Sequence, residues 1–211
     1  MCRSAIALGG LLTIASPASA DPPLADPVAI DIIVAIGSGC VTINVPAVAI
    51  MVSRDNASFE VGYLDDYTAF DGIGAGPASF RKNCQLNLLV HAPPGYTYAI
   101  ASIDHRAFTS LKPGATARHR SRFYFQGQSP PPLTEHPMSG PLQFDWQATD
   151  TVAETDLVFA PCDAQVRLNV DTELRVSAGT SDPATNSFVT MAWADVASSP
   201  STYHLIWKQC G

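Results

Sequence analysis

From Val166 to Val176 apolar and polar residues alternate without a break. Val166, Leu168, Val170, Thr172, Leu174 and Val176 fall on one side, and Arg167, Asn169, Asp171, Glu173 and Arg175 on the other. A period of two sets a helix at odds with itself but suits a strand with one dry face and one wet face. The same period recurs in Cys84–Val90, Tyr96–Phe108 and Arg118–Phe125. Phe59–Leu64, Phe188–Trp193 and Tyr203–Gln209 are shorter candidates, and the apolar runs Val28–Ile36 and Val45–Ser53 are predicted as fully buried strands. Turn signals separate them: Pro93-Pro94-Gly95, Lys112-Pro113-Gly114, Gly72–Pro77 and the polar stretch Ser177–Ser187. Gly127–Pro141, crowded with proline, is predicted as a loop, and a short helical turn is expected near Thr151–Asp156. Many short strands between Pro/Gly turns predict an all-β protein, an antiparallel β-sandwich, with jelly-roll-like and Ig-like topologies both open.

The N-terminus reads as a targeting segment. Arg3 precedes an apolar run from Ala5 to Ala15, and Ala18-Ser19-Ala20 supplies small residues for cleavage. This is the pattern of a secretory signal peptide over residues 1–20, too short to span a bilayer. Residues 21–211 are then expected to form a single secreted domain. No later run reaches membrane-spanning length, because Asp31 interrupts Val28–Ile36. Cys2 leaves with the leader, so Cys40, Cys84, Cys162 and Cys210 remain. An even count in an exported chain argues for disulfides. Of the three possible pairings, Cys40–Cys84 with Cys162–Cys210 closes the shortest loops. Each loop holds about 45 residues, for which chain entropy gives roughly 4 kcal/mol per bridge.

Charge excludes one class of partner. The formal net charge is −7, and it becomes more negative once Arg3 is removed. A nucleic-acid binder carries the opposite sign. Catalytic motifs are missing too. Gly127-Gln128-Ser129 begins like a nucleophile elbow but runs into Pro130-Pro131. His91, His105, His119, His136 and His204 show no metal-ligand spacing along the chain, no cysteine pair is spaced as in a zinc site, and no cofactor is expected. Asp65, Asp66 and Asp71 beside a Gly-rich loop are a calcium candidate, with a solvated acidic turn as the simpler reading. Asp171 and Glu173, two residues apart on one strand face, are the nearest approach to a carboxylate pair, and pairing with cations is the simpler reading.

One cluster of charge runs against the acidic whole. Arg106, Arg118, His119, Arg120 and Arg122 crowd two neighbouring candidate strands, and Arg118, Arg120 and Arg122 must share a face. Either the face receives an acidic polymer or carboxylated sugar, which guanidinium forks suit, or it is a ladder with Asp171 and Glu173. Trp146, next to Asp145, is expected to be the most exposed tryptophan and a partner to that site. Trp193 and Trp207 read as core. Asn56-Ala57-Ser58 is a glycosylation sequon. The partner class this suggests is cell-wall or extracellular polysaccharide. A non-enzymatic binding or structural protein is the preferred reading, and an enzyme working on extracellular polysaccharide through a carboxylate pair is the alternative. Oligomeric state stays open.

Several strings carry a family likeness: Arg81-Lys82-Asn83-Cys84-Gln85-Leu86-Asn87-Leu88, Tyr96–Ile100, Phe123–Gln128, Asp145-Trp146, Pro161-Cys162 and Trp207-Lys208-Gln209-Cys210. Together they resemble the domain-of-unknown-function 4360 family of small secreted proteins of bacteria and fungi, over about Gly37 to Cys210. The resemblance implies secretion and a disulfide-stapled domain, and it brings no assigned activity and no catalytic residues. The leader is directly testable. Mass analysis of protein recovered from the medium is expected to show Asp21 at the N-terminus, and any other start would displace the cleavage site.

Overall fold

A computed structural model describes residues 27–40, 47–64, 67–162, 164–191 and 200–211. Among the described residues twelve strands run in chain order: β1 (Ile30–Ile36), β2 (Val48–Val52), β3 (Ser58–Tyr63), β4 (Thr68–Asp71), β5 (Arg81–Val90), β6 (Tyr96–Leu111), β7 (Thr116–Phe125), β8 (Thr134–Ser139), β9 (Leu142–Thr151), β10 (Arg167–Ser177), β11 (Ser187–Thr190) and β12 (Ser201–Gln209). The short helical turn is present as a 3-10 turn at Glu154–Asp156. Among the described residues no helix is long and apolar enough to cross a membrane.

The strands form two antiparallel sheets packed as a sandwich. One has the order β1-β5-β10-β7-β8. The other runs β2-β3-β12-β6-β11-β4, with β9 added on β6. Strand β6 carries the second sheet. Ser102–Asp104 pair with both β12 and β9, and Phe108–Ser110 with both β11 and β9. One edge of β6 is therefore divided between β12 and β11, and the other belongs to β9. Gly95 and Gly114 take positive φ in the tight turns on either side of β6, where a Cβ would be strained.

Burial follows the alternation. Leu168, Val170, Thr172, Leu174 and Val176 of β10 are buried against the other sheet, with Phe59, Val61, Ile100 and Tyr203 among the residues of that sheet in the same core. Thr172 puts a hydroxyl in this core and satisfies it. Tyr67 donates to its Oγ1 at 2.8 Å, and the Tyr63 hydroxyl lies 3.2 Å from the same atom. Burial pushes the Tyr63 phenol up to about 12, so it stays neutral.

Two expectations are corrected. Gly127–Pro141 is not all loop, because β8 forms within it as the outermost strand of its sheet. Pro137 fits there because an edge strand has one side on which no N–H is needed. The runs Val28–Ile36 and Val45–Ser53 contain β1 and β2, but neither is fully buried. They end their sheets, leaving Ile33, Val34, Ile36 and Met51 exposed. β4, at four residues, is too short to be read beforehand, whereas β9 does alternate Leu142, Phe144, Trp146 and Ala148 with polar residues and is a strand the sequence reading leaves out.

The bridges are Cys40–Cys84 and Cys162–Cys210, as the loop lengths favoured. The first ties the turn after β1 to β5, and the second ties the segment after the 3-10 turn to the end of β12. Non-reducing peptide mapping is expected to recover these two cystine peptides and no others. Replacing Cys84 and Cys40 with Ala should cost about 2–5 kcal/mol in denaturant unfolding. A loss near zero would mean the bridge constrains little.

Candidate functional site

Strand β7 presents two different surfaces. Arg118, Arg120 and Arg122 point outward, as the alternation requires, while Ala117, His119 and Ser121 point into the sandwich. The outer surface is a lattice of ion pairs. Opposite Arg120 on β10 stands Glu173, and opposite Arg122 stands Asp171. Arg122 Nε donates to Asp171 Oδ2 at 2.7 Å, and Arg120 donates to Glu135 of β8 while lying 3.7 Å from Glu173. Arg118 is 3.7 Å from Glu135. From the other side, Arg81 of β5 bonds Glu173 at 2.5 Å, and Arg175, two residues along β10 itself, bonds it at 2.7 Å. The carboxylates lie beneath the guanidiniums: the side chains of Glu173 and Asp171 are 10% and 11% exposed, against 46% for Arg81 and 35% for Arg118. The ladder with Asp171 and Glu173 is thus present, and these carboxylates are held by cations rather than facing each other as an acid/base pair.

Two residues assigned to this face lie elsewhere. Arg106 sits on β6, opposite Gln147 of β9, in the other sheet, because β6 and β7 join different sheets rather than pairing. Trp146 is not an exposed sugar platform. It is partly buried and packs between the sheets, its ring 5.7 Å from His119 and 5.5 Å from His136. Trp207 donates its indole N–H to the Asn56 carbonyl at 2.7 Å and packs on Tyr98. Trp193 lies outside the described residues, as do Asp65 and Asp66 of the calcium candidate. Asp71 accepts the Ala178 N–H at 2.7 Å. Asn56 of the sequon is only 2% exposed, and its Oδ1 accepts the Val28 N–H.

The inner surface holds a group that sequence spacing hid. His119 of β7 and His136 of β8 are directly opposite in register. His105 of β6 faces them from the other sheet, with ring centroids 4.5 Å apart for His105 and His119 and 5.6 Å for His105 and His136. Asp150 of β9 completes the group. It lies two residues along β9 from Ala148, the partner of His105, and so on the same face, which is a diagonal contact. Its Oδ2 is 3.0 Å from His105 Nε2 and its Oδ1 is 3.0 Å from His136 Nε2. Ser121 Oγ also meets His105 Nε2, at 3.1 Å.

Both nitrogens of His119 lack a hydrogen-bond partner although its side chain is fully buried. The same holds for His105 Nδ1, and His136 Nε2 is close to Asp150 without good hydrogen-bond direction. An orphaned buried polar group costs about 1–3 kcal/mol. Burial drives the His119 proton affinity well below the ordinary 6.5, and His105 and His136 push it further down against the pull of Asp150. The ring is neutral at pH 7. Burial raises the Asp150 carboxyl, but the hydrogen bond and charge of His105, with His136 close by, outweigh it and leave the group below its ordinary 3.8. A cavity of about 350 Å³ reaches this group. Ser121 and Asp150 lie on its lining, and Ile100, Ile103, Phe123 and Val152 supply apolar wall.

Residues 26–210 match the sequence profile of a domain of unknown function (DUF4360). The chain belongs to the DUF4360 family. A relative named "Uncharacterized secreted protein", from Arthroderma benhamiae, is 30% identical over 159 residues, which is 75% of this chain. The chain spans 64% of that protein's length. This DUF4360 protein is secreted, in keeping with that relative and with its two disulfides.

The ion-pair lattice makes acid lability testable. Burial raises the Glu173 carboxyl, but hydrogen bonds and charges from Arg175 and Arg81 more than offset this and hold it below its ordinary 4.5. Its stabilising contribution is therefore complete above about pH 4.5 and is lost as pH falls through the lower folded value. Glu173→Gln is expected to unfold at lower denaturant than wild type at pH 7, with the gap closing as pH falls below about 4.5. A gap that stays constant through that fall would remove Glu173 from the acid response.

Proposed function

We propose that the protein is a non-enzymatic binding protein of the cell surface or wall, and that its ligand is an acidic polysaccharide lying along the outer face of the β1-β5-β10-β7-β8 sheet. Export through residues 1–20 as a signal peptide, with residues 21–211 as a single domain, is part of the same reading. The observation that carries it is the layering of that face. Arg81, Arg120, Arg122 and Arg175 cover Asp171 and Glu173, with Arg118 and Arg120 also paired to the exposed Glu135 at the sheet edge, so guanidiniums make up most of the outer layer of this face in an acidic protein. Each guanidinium has five N–H donors, and the carboxylates beneath use only some of them. The remainder are held in fixed directions, which lowers the ordering cost of receiving carboxylates spaced along a chain.

An extracellular carbohydrate-active enzyme using a carboxylate pair is the second reading. Asp150 and Asp156 both lie on the lining of the 350 Å³ cavity, which favours it. Release of reducing ends from labelled glycans would mark this reading, and Asp156→Asn should abolish it.

The binding reading predicts retention on immobilised polygalacturonate at low salt and elution as salt rises. Arg120→Ala together with Arg122→Ala should elute at distinctly lower salt. Arg120→Ala alone should cost only about 0.2–1 kcal/mol in stability, as partly exposed pairs do. If wild type is retained on no anionic glycan at low salt, the face is a structural lattice and nothing more.

A further inference from the structure

We propose that His105, His119 and His136, with Asp150, form a binding site for a divalent transition-metal ion of the zinc or copper(II) class, joining the two sheets. This is independent of the arginine face, which lies on the opposite side of β7. The first argument is convergence. The three histidines come from β6, β7 and β8, and one nitrogen of each lies within 4.8 Å of the others. Tetrahedral zinc with Zn–N of about 2.0–2.1 Å requires nitrogens about 3.3 Å apart. Each ring needs to move inward by less than about 1 Å, which small rotations of χ1 and χ2 supply.

The second argument is the missing partners. The His119 ring is fully buried between two hydrogen-bonded sheets, and neither nitrogen has a partner. A buried imidazole normally satisfies at least one nitrogen. An ion would take the lone pair of one nitrogen and so give this ring the partner it lacks. Asp150 then has two possible places, as fourth ligand or as the carboxylate that orients His105 and His136 by their ring nitrogens.

The donor set decides the class of metal. Three imidazoles and a carboxylate suit zinc, copper(II) and nickel(II), and they do not suit calcium or magnesium, which take oxygen ligands. Thiolate is not available from Cys40, Cys84, Cys162 or Cys210, which are disulfide-bonded. Asp150 and Ser121, which touch His105, also lie on the lining of the neighbouring cavity.

The test uses the full secreted chain, stripped with chelator and titrated with zinc by calorimetry, and with cobalt(II) followed by visible absorption. Zinc is expected to bind at one ion per chain and raise the unfolding temperature. Cobalt(II) should give the intense d–d bands of a four-coordinate site. His119→Phe keeps the ring volume in the core and removes both orphaned nitrogens. It should fold at least as well as the stripped wild type, lose the cobalt bands and weaken zinc binding at least 100-fold. His136→Gln, nearer the surface, should do the same if His119→Phe fails to fold. Asp150→Asn should weaken binding 10–100-fold. Magnesium should not bind. The proposal is overturned if wild type takes up neither zinc nor cobalt at micromolar concentration. It is equally overturned if His119→Phe and His136→Gln bind as wild type does, which would place the ion on a surface pair such as His91 with Asp31 or His204 with Asp104.

Discussion

The pairing of β7 with β10 fixes everything else of interest in this molecule. In that register Leu168, Val170, Thr172, Leu174 and Val176 stand opposite Phe125, Phe123, Ser121, His119 and Ala117, all on the inner face. A slip of one residue would turn every side chain of β7 over. Arg118, Arg120 and Arg122 would enter the core, and His119 would leave it. Burying an ion costs several kcal/mol even after relaxation. Asp171 and Glu173 would at the same time lose the cations that compensate their burial. Hydrophobic pattern and charge pattern therefore specify the same register. The outward lattice and the inward histidine group are two consequences of that one choice.

The core around the histidines is otherwise careful with polar atoms. Tyr63 and Tyr67 share Thr172, Thr97 donates to the Ala160 carbonyl at 2.5 Å, and Thr68 donates to Thr190 at 2.8 Å. Among the described residues, the buried side-chain polar atoms without a partner are Asn87 Oδ1, Tyr98 Oη, Ser201 Oγ and four nitrogens of His105, His119 and His136. Most of the unpaired polarity thus collects in one place, at the end of a cavity and beside a carboxylate. Loose packing in general would scatter such atoms through the interior instead. Local departures from consistency of this kind are where function is usually found.

Most of the architecture was legible in the sequence because its signal is local. Alternation in Val166–Val176, Cys84–Val90 and Arg118–Phe125 needed only the period of two, and loop length alone favoured the observed cystines. The outward placement of Arg118, Arg120 and Arg122 followed from the same rule. What failed was information held between strands. Arg106 was grouped with the other arginines because β6 and β7 are adjacent in the chain, yet they belong to different sheets. β9 is a different case: Leu142, Phe144, Trp146 and Ala148 alternate with polar residues, so the inward direction of Trp146 follows from the same period of two once the strand is recognised. The histidine group was invisible for a reason related to that of Arg106. His105, His119 and His136 are separated by turns and strands, so no ligand spacing exists along the chain. Only the pairing of β7 with β8 and the packing of one sheet on the other bring them within reach.

Strand β8 is where the two surfaces meet and where the fold holds them least firmly. It is six residues long, ends its sheet and buries only Met138. Pro137 removes one donor from its backbone. Beyond the ladder to β7, its anchors are few. Glu135 is gripped from outside by Arg120 and Arg118, and His136 is packed from inside on Trp146 and drawn to Asp150. Glu135 and His136 are neighbours, so the pleat sends one to each surface. Loosening the outer ion pair frees the backbone that aims His136, and an ion held by His136 would in turn fix the strand that carries Glu135. Coupling between the arginine face and the histidine group therefore requires no long path through the core. It requires only that β8 be the softest element both groups share, and an edge strand with one buried side chain and a proline meets that condition.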